Sequence, residues 1–285
     1  MSDGLVVVDK PAGWTSHDVV GKVRRLAGTR RVGHAGTLDP MATGVLILGV
    51  GRATRLLGHL ALHDKEYDAT IRLGSSTTTD DAEGEELSAA ADGAAAAISD
   101  SEIERVMRSL TGEIDQVPSS VSAIKVDGVR AYKRARDGEA VELKARRVMI
   151  DEFTLRARRG PDLDVHVACS TGTYVRALAR DLGATLGVGG HLTALRRTRS
   201  GPYRVDQARG IEDLEAAFTV IPLGEAVADA FPVLTVSDED AVRLGHGQRL
   251  TLELSSSPSG VFAPDGRVVA LVEARGGEAR PICVF

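Results

Sequence analysis

The sequence predicts an α+β fold, in which strands and helices mix without a regular βαβ rhythm. Three observations carry this. Tyr67-Asp68-Ala69-Thr70-Ile71-Arg72-Leu73 alternates with period two and sets Tyr67, Ala69, Ile71 and Leu73 on one face, as a half-buried strand does. Val19, Val20, Val23 and Leu26 recur at helical spacing, and so do Ile103, Val106, Met107 and Leu110. From about Phe231 the texture changes to short β-type runs broken by Pro232, Pro258, Pro264 and a Ser-rich turn at 255–257.

The elements follow in order. Leu5 to Asp9 reads as a short strand, ended by the turn Lys10-Pro11-Ala12-Gly13. Thr15 with Asp18 three residues on fits a capping box, and Gly28 is a stop signal for the helix between them. Arg24 and Arg25 fall off its apolar stripe. The apolar run Val45 to Val50 reads as a buried strand, followed by a helix from about Ala53 to Leu62. Residues 75–97 are rich in Thr, Asp and Ala without periodicity and read as a loop. Ser99 and Glu102 form a second capping box, and Gly112 closes that helix. Residues 114–143 are polar, basic and turn-rich and read as an excursion from the domain. Val148 to Arg156 and Leu163 to Cys169 read as strands. Thr173 is placed to cap a helix in which Tyr174, Leu178, Leu182 and Leu186 repeat. The last 55 residues are few enough to lean on a neighbour for stability.

Bulk properties narrow the classes. The 285 residues suffice for one large domain or a large and a small one, and 43% hydrophobic residues is ordinary for a globular chain. Cys169 and Cys283 lie in apolar contexts without metal-ligand spacing, so buried thiols are expected and no metal. The N-terminal MSDGLVVVDK lacks a secretory pattern and GVLILGVG is too short to span a bilayer, so a soluble cytoplasmic protein is expected. The net charge of −5 argues weakly against nucleic acid, but its distribution argues the other way. Basic residues crowd at 22–31, 125–147 and 176–209, whereas acids such as Asp80, Asp81, Glu83 and Glu85 lie largely elsewhere. Three basic runs alternating with acidic ones suit a one-sided phosphate-binding surface, and equally a set of solvated faces.

The richest segment is Gly33-His34-Ala35-Gly36-Thr37-Leu38-Asp39-Pro40-Met41-Ala42-Thr43-Gly44. Pro40 pushes Asp39 out of the helical region, and the glycines permit backbone angles that other residues resist. A carboxylate held this way is a turn-former or a reactive group. Turn chemistry alone favours the first.

GHAGTLDPMATG resembles the catalytic signature of the TruB family of tRNA pseudouridine synthases. Further family motifs occur in family order: KPxG at Lys10, KEYDA at Tyr67, QVP…SAIKVDG from Gln116, GTYVRALARDLG around Arg176 and HLTALRR around Leu195. The resemblance implies a mainly antiparallel sheet with flanking helices in a catalytic domain over 1–228. It also implies an RNA-gripping insertion at about 114–143 and a small β-rich RNA-binding domain of PUA type over 229–285.

It further implies that Asp39 is the nucleophile that acts when uridine 55 of the tRNA T loop is isomerised. Arg176 would pair with Asp39, Tyr67 would lie on the uracil and take the C5 proton, and Tyr174 and Leu195 would line the pocket. His34 would fill the gap left by the flipped base, and Lys10 would shape the pocket wall. No cofactor is implied. The partner is the T-arm of tRNA, without membrane or obligatory protein partner, for a monomer. The thumb departs from the usual motif at Ser119 and Val121, where many relatives carry proline and an aromatic.

Read without the resemblance, each residue also has a plain structural role. Arg176 fits an exposed helix position, Tyr67 and Tyr174 fit core positions, and His34 fits a packed or surface histidine, as do the other six histidines. Two further functions suit the chain: a non-catalytic tRNA-folding chaperone on the same scaffold, and a pseudouridine synthase with another RNA target. An aspartate-nucleophile hydrolase is disfavoured, because the metal-binding acids such enzymes place around the nucleophile are missing from the sequence around Asp39.

Overall fold

The computed structural model describes residues 3–119, 143–254 and 256–285, together with the backbone of 125–126 and 129–130. Most of the thumb expectation, including Val121, therefore lies outside the described residues. The chain divides into two compact units, one of residues 1–40, 44–61 and 201–285, the other of residues 41–43 and 62–200.

The first unit opens with strand β1 (Gly4–Lys10), helix α1 (Ser16–Leu26), strands β2 (Val32–Ala35) and β3 (Thr43–Val50), and helix α2 (Leu57–Leu60). The Thr15–Asp18 capping box forms as expected, with Thr15 accepting from the Asp18 amide and Asp18 accepting from the Thr15 amide. Gly28 follows with φ +59. Both faces of β1 and β3 are buried, which explains why their residues run apolar without alternating. The helix expected at 53–62 is a 3-10 turn over Gly51–Leu56 followed by the single turn of α2. With no side-chain cap and Gly58 inside, a longer helix has little local support.

The second unit runs through β4 (Lys65–Leu73), β5 (Ser75–Thr77), β6 (Glu86–Ala89), α3 (Ala94–Ala97), α4 (Asp100–Ser109) and β7 (Gly112–Gln116). The short backbone strands β8 (Lys125–Val126) and β9 (Val129–Arg130) precede β10 (Arg146–Arg159) and β11 (Asp162–Cys169). Helix α5 (Val175–Thr185) and strand β12 (Gly190–Ser200) complete it. Its sheet has the order β12-β4-β11-β10-β7, antiparallel at each pairing. Strand β4 shows the expected alternation, with Tyr67, Ala69, Ile71 and Leu73 buried.

Four expectations fail here. Residues 75–97 are not a loop: β5 and β6 form an antiparallel hairpin, α3 follows, and Thr77, Asp81 and Ala95 are buried. Polar cross-strand and turn bonds hold this segment, so it has no apolar period to read. Gly112 does not close α4, which ends at Ser109 with Leu110 as its cap; Gly112, at φ +95, opens β7. Residues 114–116 belong to that strand and not to an excursion, because β10 supplies backbone partners to polar residues. Thr173 is not the cap of α5: Tyr174 is, in extended backbone and without a side-chain cap.

The remainder of the first unit holds β13 (Tyr203–Arg204), α6 (Ile211–Ala216), β14 (Ile221–Pro222) and α7 (Leu223–Ala230). Then come β15 (Val233–Thr235), α8 (Asp238–Gly245), β16 (Ser259–Phe262), β17 (Val268–Arg275) and β18 (Glu278–Val284). Strand β1 lies between β3 and β14, and the last four strands form their own sheet in sequence order. The two faces of that sheet serve two cores. Phe262, Val268 and Leu271 pack with Leu5, Val45, Leu56 and Val227, while Val261, Ala270 and Val272 pack with Ala241 and Leu244 of α8. A β-rich tail that shares one core with β1 and β3 is thus stabilised by them, at roughly 1.5–3 kcal/mol for each large apolar side chain fully buried. No helix among the described residues is long and apolar enough to cross a membrane.

Candidate active site

Strands β2 and β3 form a hairpin with His34 opposite Leu48 and Ala35 opposite Ile47, and residues 36–42 connect them. Gly36 and Gly44 bracket this connection at φ +82 and +97, where side chains are strained. Asp39 sits between them, half-buried in irregular backbone.

The chain is pinned on both sides of Asp39. The Leu38 amide donates to Ser16 Oγ at 2.9 Å, and Ser16 Oγ donates to the Leu38 carbonyl at 3.1 Å. The Leu38 side chain is itself buried. On the other side, the Pro40 carbonyl accepts from the Gly13 amide at 2.9 Å and from Lys10 Nζ at 3.2 Å.

Lys10 is 0% exposed. Its ammonium also donates to the Trp14 carbonyl at 2.5 Å and the Pro11 carbonyl at 2.9 Å. A buried cation must be satisfied this way, and its charge strengthens each bond. Lys10 therefore ties the KPxG turn to the Asp39 loop. His34, half-buried on β2, meets His17 of α1 edge-to-face, with ring centroids 5.6 Å apart and planes at 76°.

The second unit carries the other candidates. Tyr67 is 7% exposed on β4, with Arg197 of β12 and Val167 of β11 as its cross-strand partners. Lys65 lies two residues away on the same face, with Cys169 as its partner on β11, and all three of Lys65, Cys169 and Arg197 are buried. Burial, then repulsion from Arg197, pushes the Lys65 ammonium down to about 8. Burial pushes the Cys169 thiol up to about 11, and the thiol is buried as expected. Leu195 is buried on β12 opposite Ala69 of β4.

Tyr174 is half-buried at the start of α5, and its backbone is held by one side chain. Gln116 Nε2 donates to the Tyr174 carbonyl at 3.1 Å, and the Tyr174 amide donates to Gln116 Oε1 at 2.8 Å. Gln116 is buried at the end of β7.

Arg176, in the first turn of α5, is 4% exposed. Its Nη1 donates to the Thr79 carbonyl at 2.9 Å and to Asp81 Oδ2 at 3.3 Å. Asp81 is 2% exposed, and it accepts from the Glu83 amide at 3.0 Å and from Thr79 Oγ1. One turn later Arg180 Nη1 donates to Asp80 at 3.1 Å. Asp80 and Asp81, distant from the basic run at 176–209 in sequence, thus meet it in space. The β5–β6 hairpin folds over α5 and brings both carboxylates to its arginines. It also overturns the plain reading of Arg176 as an exposed helix arginine.

The first unit therefore gathers Asp39, His34 and Lys10, and the second gathers Tyr67, Tyr174, Arg176 and Leu195. Sequence reasoning missed Ser16, Gln116 and Asp81. Ser16 and Gln116 act through backbone contacts 22 and 58 residues away, which no local window reveals. Asp81 offered a signal, an acid in a Thr-rich run, but its partner is 95 residues on. Among the described residues no cluster of three or more His, Cys, Asp or Glu side chains is arranged to hold a metal ion.

Family models match successive stretches of the chain. The family model of the TruB family pseudouridylate synthase N-terminal domain covers residues 24–175. The tRNA pseudouridylate synthase B C-terminal domain covers 176–226, and the C-terminal domain of tRNA pseudouridine synthase II covers 231–285. The chain is 62% identical to tRNA pseudouridine synthase B of Thermobifida fusca, over 100% of this chain and 99% of that protein. It is 54% identical to the protein of the same name from Arthrobacter sp., over 100% of this chain and 97% of the relative. Among solved structures, an H/ACA RNP bound to a substrate RNA containing 2′-deoxyuridine holds a chain with TM-score 0.74 and 25% identity, covering 99% of this chain and 84% of that one. A family model over more than half of the sequence and a whole-length relative at such identity lead to one conclusion: the chain belongs to the TruB family of pseudouridylate synthases.

Proposed function

We propose that this protein is a tRNA pseudouridine synthase that isomerises uridine 55 in the T loop, with Asp39 as the nucleophile. The observation that carries the reading is the 62% identity, over the whole chain, to tRNA pseudouridine synthase B of Thermobifida fusca. The pinned Asp39 loop and the buried Arg176 support the assignment of roles, since both hold a reactive group in a fixed place.

The reaction breaks the N1–C1′ bond of uridine, turns the uracil and joins C5 to C1′. The proton lost from C5 is matched by one gained at N1, so the product is an isomer and the balance calls for no redox cofactor. Asp39 supplies the carboxylate that acts on the nucleoside. Arg176 is assigned the task of keeping that carboxylate ionised and aimed, because a guanidinium favours the charged form of a carboxylate. Tyr67 lies on the uracil and takes the C5 proton, and Tyr174 and Leu195 wall the flat pocket. His34 enters the stack when uridine leaves it, which offsets part of the few kcal/mol that extrusion costs. Lys10 is a positioning residue, acting through the Pro40 carbonyl. The insertion, cut back to about 117–143, and the domain over 229–285 grip the RNA.

Incubating the wild type and Asp39→Asn with an unmodified T-arm stem-loop and with whole unmodified tRNA, then mapping pseudouridine, tests this. Product at uridine 55 from the wild type alone is expected. A wild type that binds tRNA without making product is a chaperone, not a synthase. Full activity in Asp39→Asn removes the nucleophile from that residue, and product at another position overturns the target.

A further inference from the structure

Strands β17 and β18 are joined by Gly276-Gly277, at φ +62 and +79, which closes the two-residue hairpin between Arg275 and Glu278. Beside this tip lies an open depression of about 460 Å³ lined by Arg249, Arg275, Gly276, Glu278 and Arg280. The setting makes it unusual. Residues 231–285 contain five arginines, no lysine and seven acids, yet three of the arginines line this one depression.

The alternative is that these arginines merely pair across the hairpin. Arg275 is the cross-strand partner of Glu278, and Arg280 of Glu273. Opposite charges so placed stabilise a hairpin when they close on each other. Among the described residues they do not: Glu278 reaches Arg249 at 3.7 Å, and neither Arg275 nor Arg280 has a carboxylate within the 4.0 Å of an ion pair. Both guanidinium groups are exposed. Ala279, between Glu278 and Arg280, is buried, so Arg280 and Glu278 project from the outer face of β18. Gly276 adds a backbone that no side chain screens, since a Cβ there would meet nothing within 4 Å.

We propose that Arg249, Arg275 and Arg280 form a phosphate-binding site for the RNA backbone, a second foothold on the substrate apart from the reacting base. The occupant follows from chemistry. Planar guanidinium forks match phosphate oxygens in pairs, and an open rim admits a continuous strand as well as a single anion. This inference rests on the reading of the chain as a tRNA-modifying enzyme. It deepens the RNA-binding role proposed for residues 229–285 by naming the side chains that perform it.

The test uses the full chain and an unmodified tRNA transcript, with binding measured at several salt concentrations. Arg275→Ala/Arg280→Ala removes two phosphate contacts, so the slope of log affinity against log salt is expected to fall by about 1.5 to 2. Affinity at about 0.1 M salt is expected to drop by roughly tenfold. The paired lysine variant, Arg275→Lys/Arg280→Lys, is expected to restore the slope, because it keeps the charges. Arg243→Ala, on α8 of the same region, serves as the control and is expected to leave the slope alone. An unchanged affinity and slope in the alanine variant overturns the site, and so does an equal loss in Arg243→Ala. A wild type that binds tRNA but makes no pseudouridine sinks the synthase reading and leaves the binding test intact.

Discussion

Asp81 shows how much one buried side chain can govern. It accepts from Thr79, from the Glu83 amide and from Arg176, which lies on another element. Asp81→Asn keeps the shape and removes the charge 3.3 Å from the guanidinium. Breaking a buried pair by neutralising one partner is costly, about 3–5 kcal/mol in comparable cases. We expect kcat for pseudouridine formation to fall by about two orders of magnitude with KM little altered, if Arg176 aims Asp39 in the transition state. A variant that loses only substrate affinity would place Arg176 in binding instead. Lys10 gives a second prediction. Lys10→Met withdraws the ammonium from the Pro11, Trp14 and Pro40 carbonyls and is expected to cost about 2–4 kcal/mol. Denaturant unfolding reads the stability, and single-turnover kinetics read the loss of a fixed Asp39 loop.

At the scale of elements, the hairpin β2–β3 and helix α1 together build the Asp39 loop, and β7 builds the entry to α5. Gln116 supplies one bond to the Tyr174 amide and one to its carbonyl, so it does for α5 what Thr173 does not. Gln116→Ala leaves the half-buried Tyr174 amide and carbonyl without that partner. The expected cost is about 1–3 kcal/mol, and KM for tRNA should rise more than kcat falls, because Tyr174 walls the proposed pocket. A change in kcat alone would argue that β7 positions Arg176 rather than Tyr174. The β5–β6 hairpin acts similarly through Asp80 and Asp81. A Thr-rich segment without apolar period proves to be the piece that fixes two arginines of α5.

The stability of the whole molecule carries the imprint of Lys65. Its ammonium has an ordinary value of 10.5 and stands at about 8 in the folded chain. Between those values the unfolded chain holds a proton that the folded chain has released, so this residue's contribution to stability rises as pH climbs from about 8 to 10.5. Lys65→Met lacks that component. Urea unfolding of both proteins from pH 7 to pH 10 should show the wild type gaining on the variant as pH rises. A constant difference would mean that the amine titrates normally and that its burial costs nothing.

The sequence by itself determined the secondary elements whose signals are local. The period-two pattern of β4, the capping box of α1 and the glycines around Asp39 all come from interactions a few residues apart. It determined the family too, because the motifs stand in order along the chain. Only the tertiary structure decided that Arg176 is buried against the β5–β6 hairpin and that Tyr174 is held by Gln116. It alone decided that Lys10 turns inward to the Pro40 carbonyl and that the last sheet shares a core with β1 and β3. Those contacts satisfy buried polar groups, or cover apolar faces, with partners 30 or more residues away. A polar side chain carries no mark in its own neighbourhood of which distant backbone group it will meet.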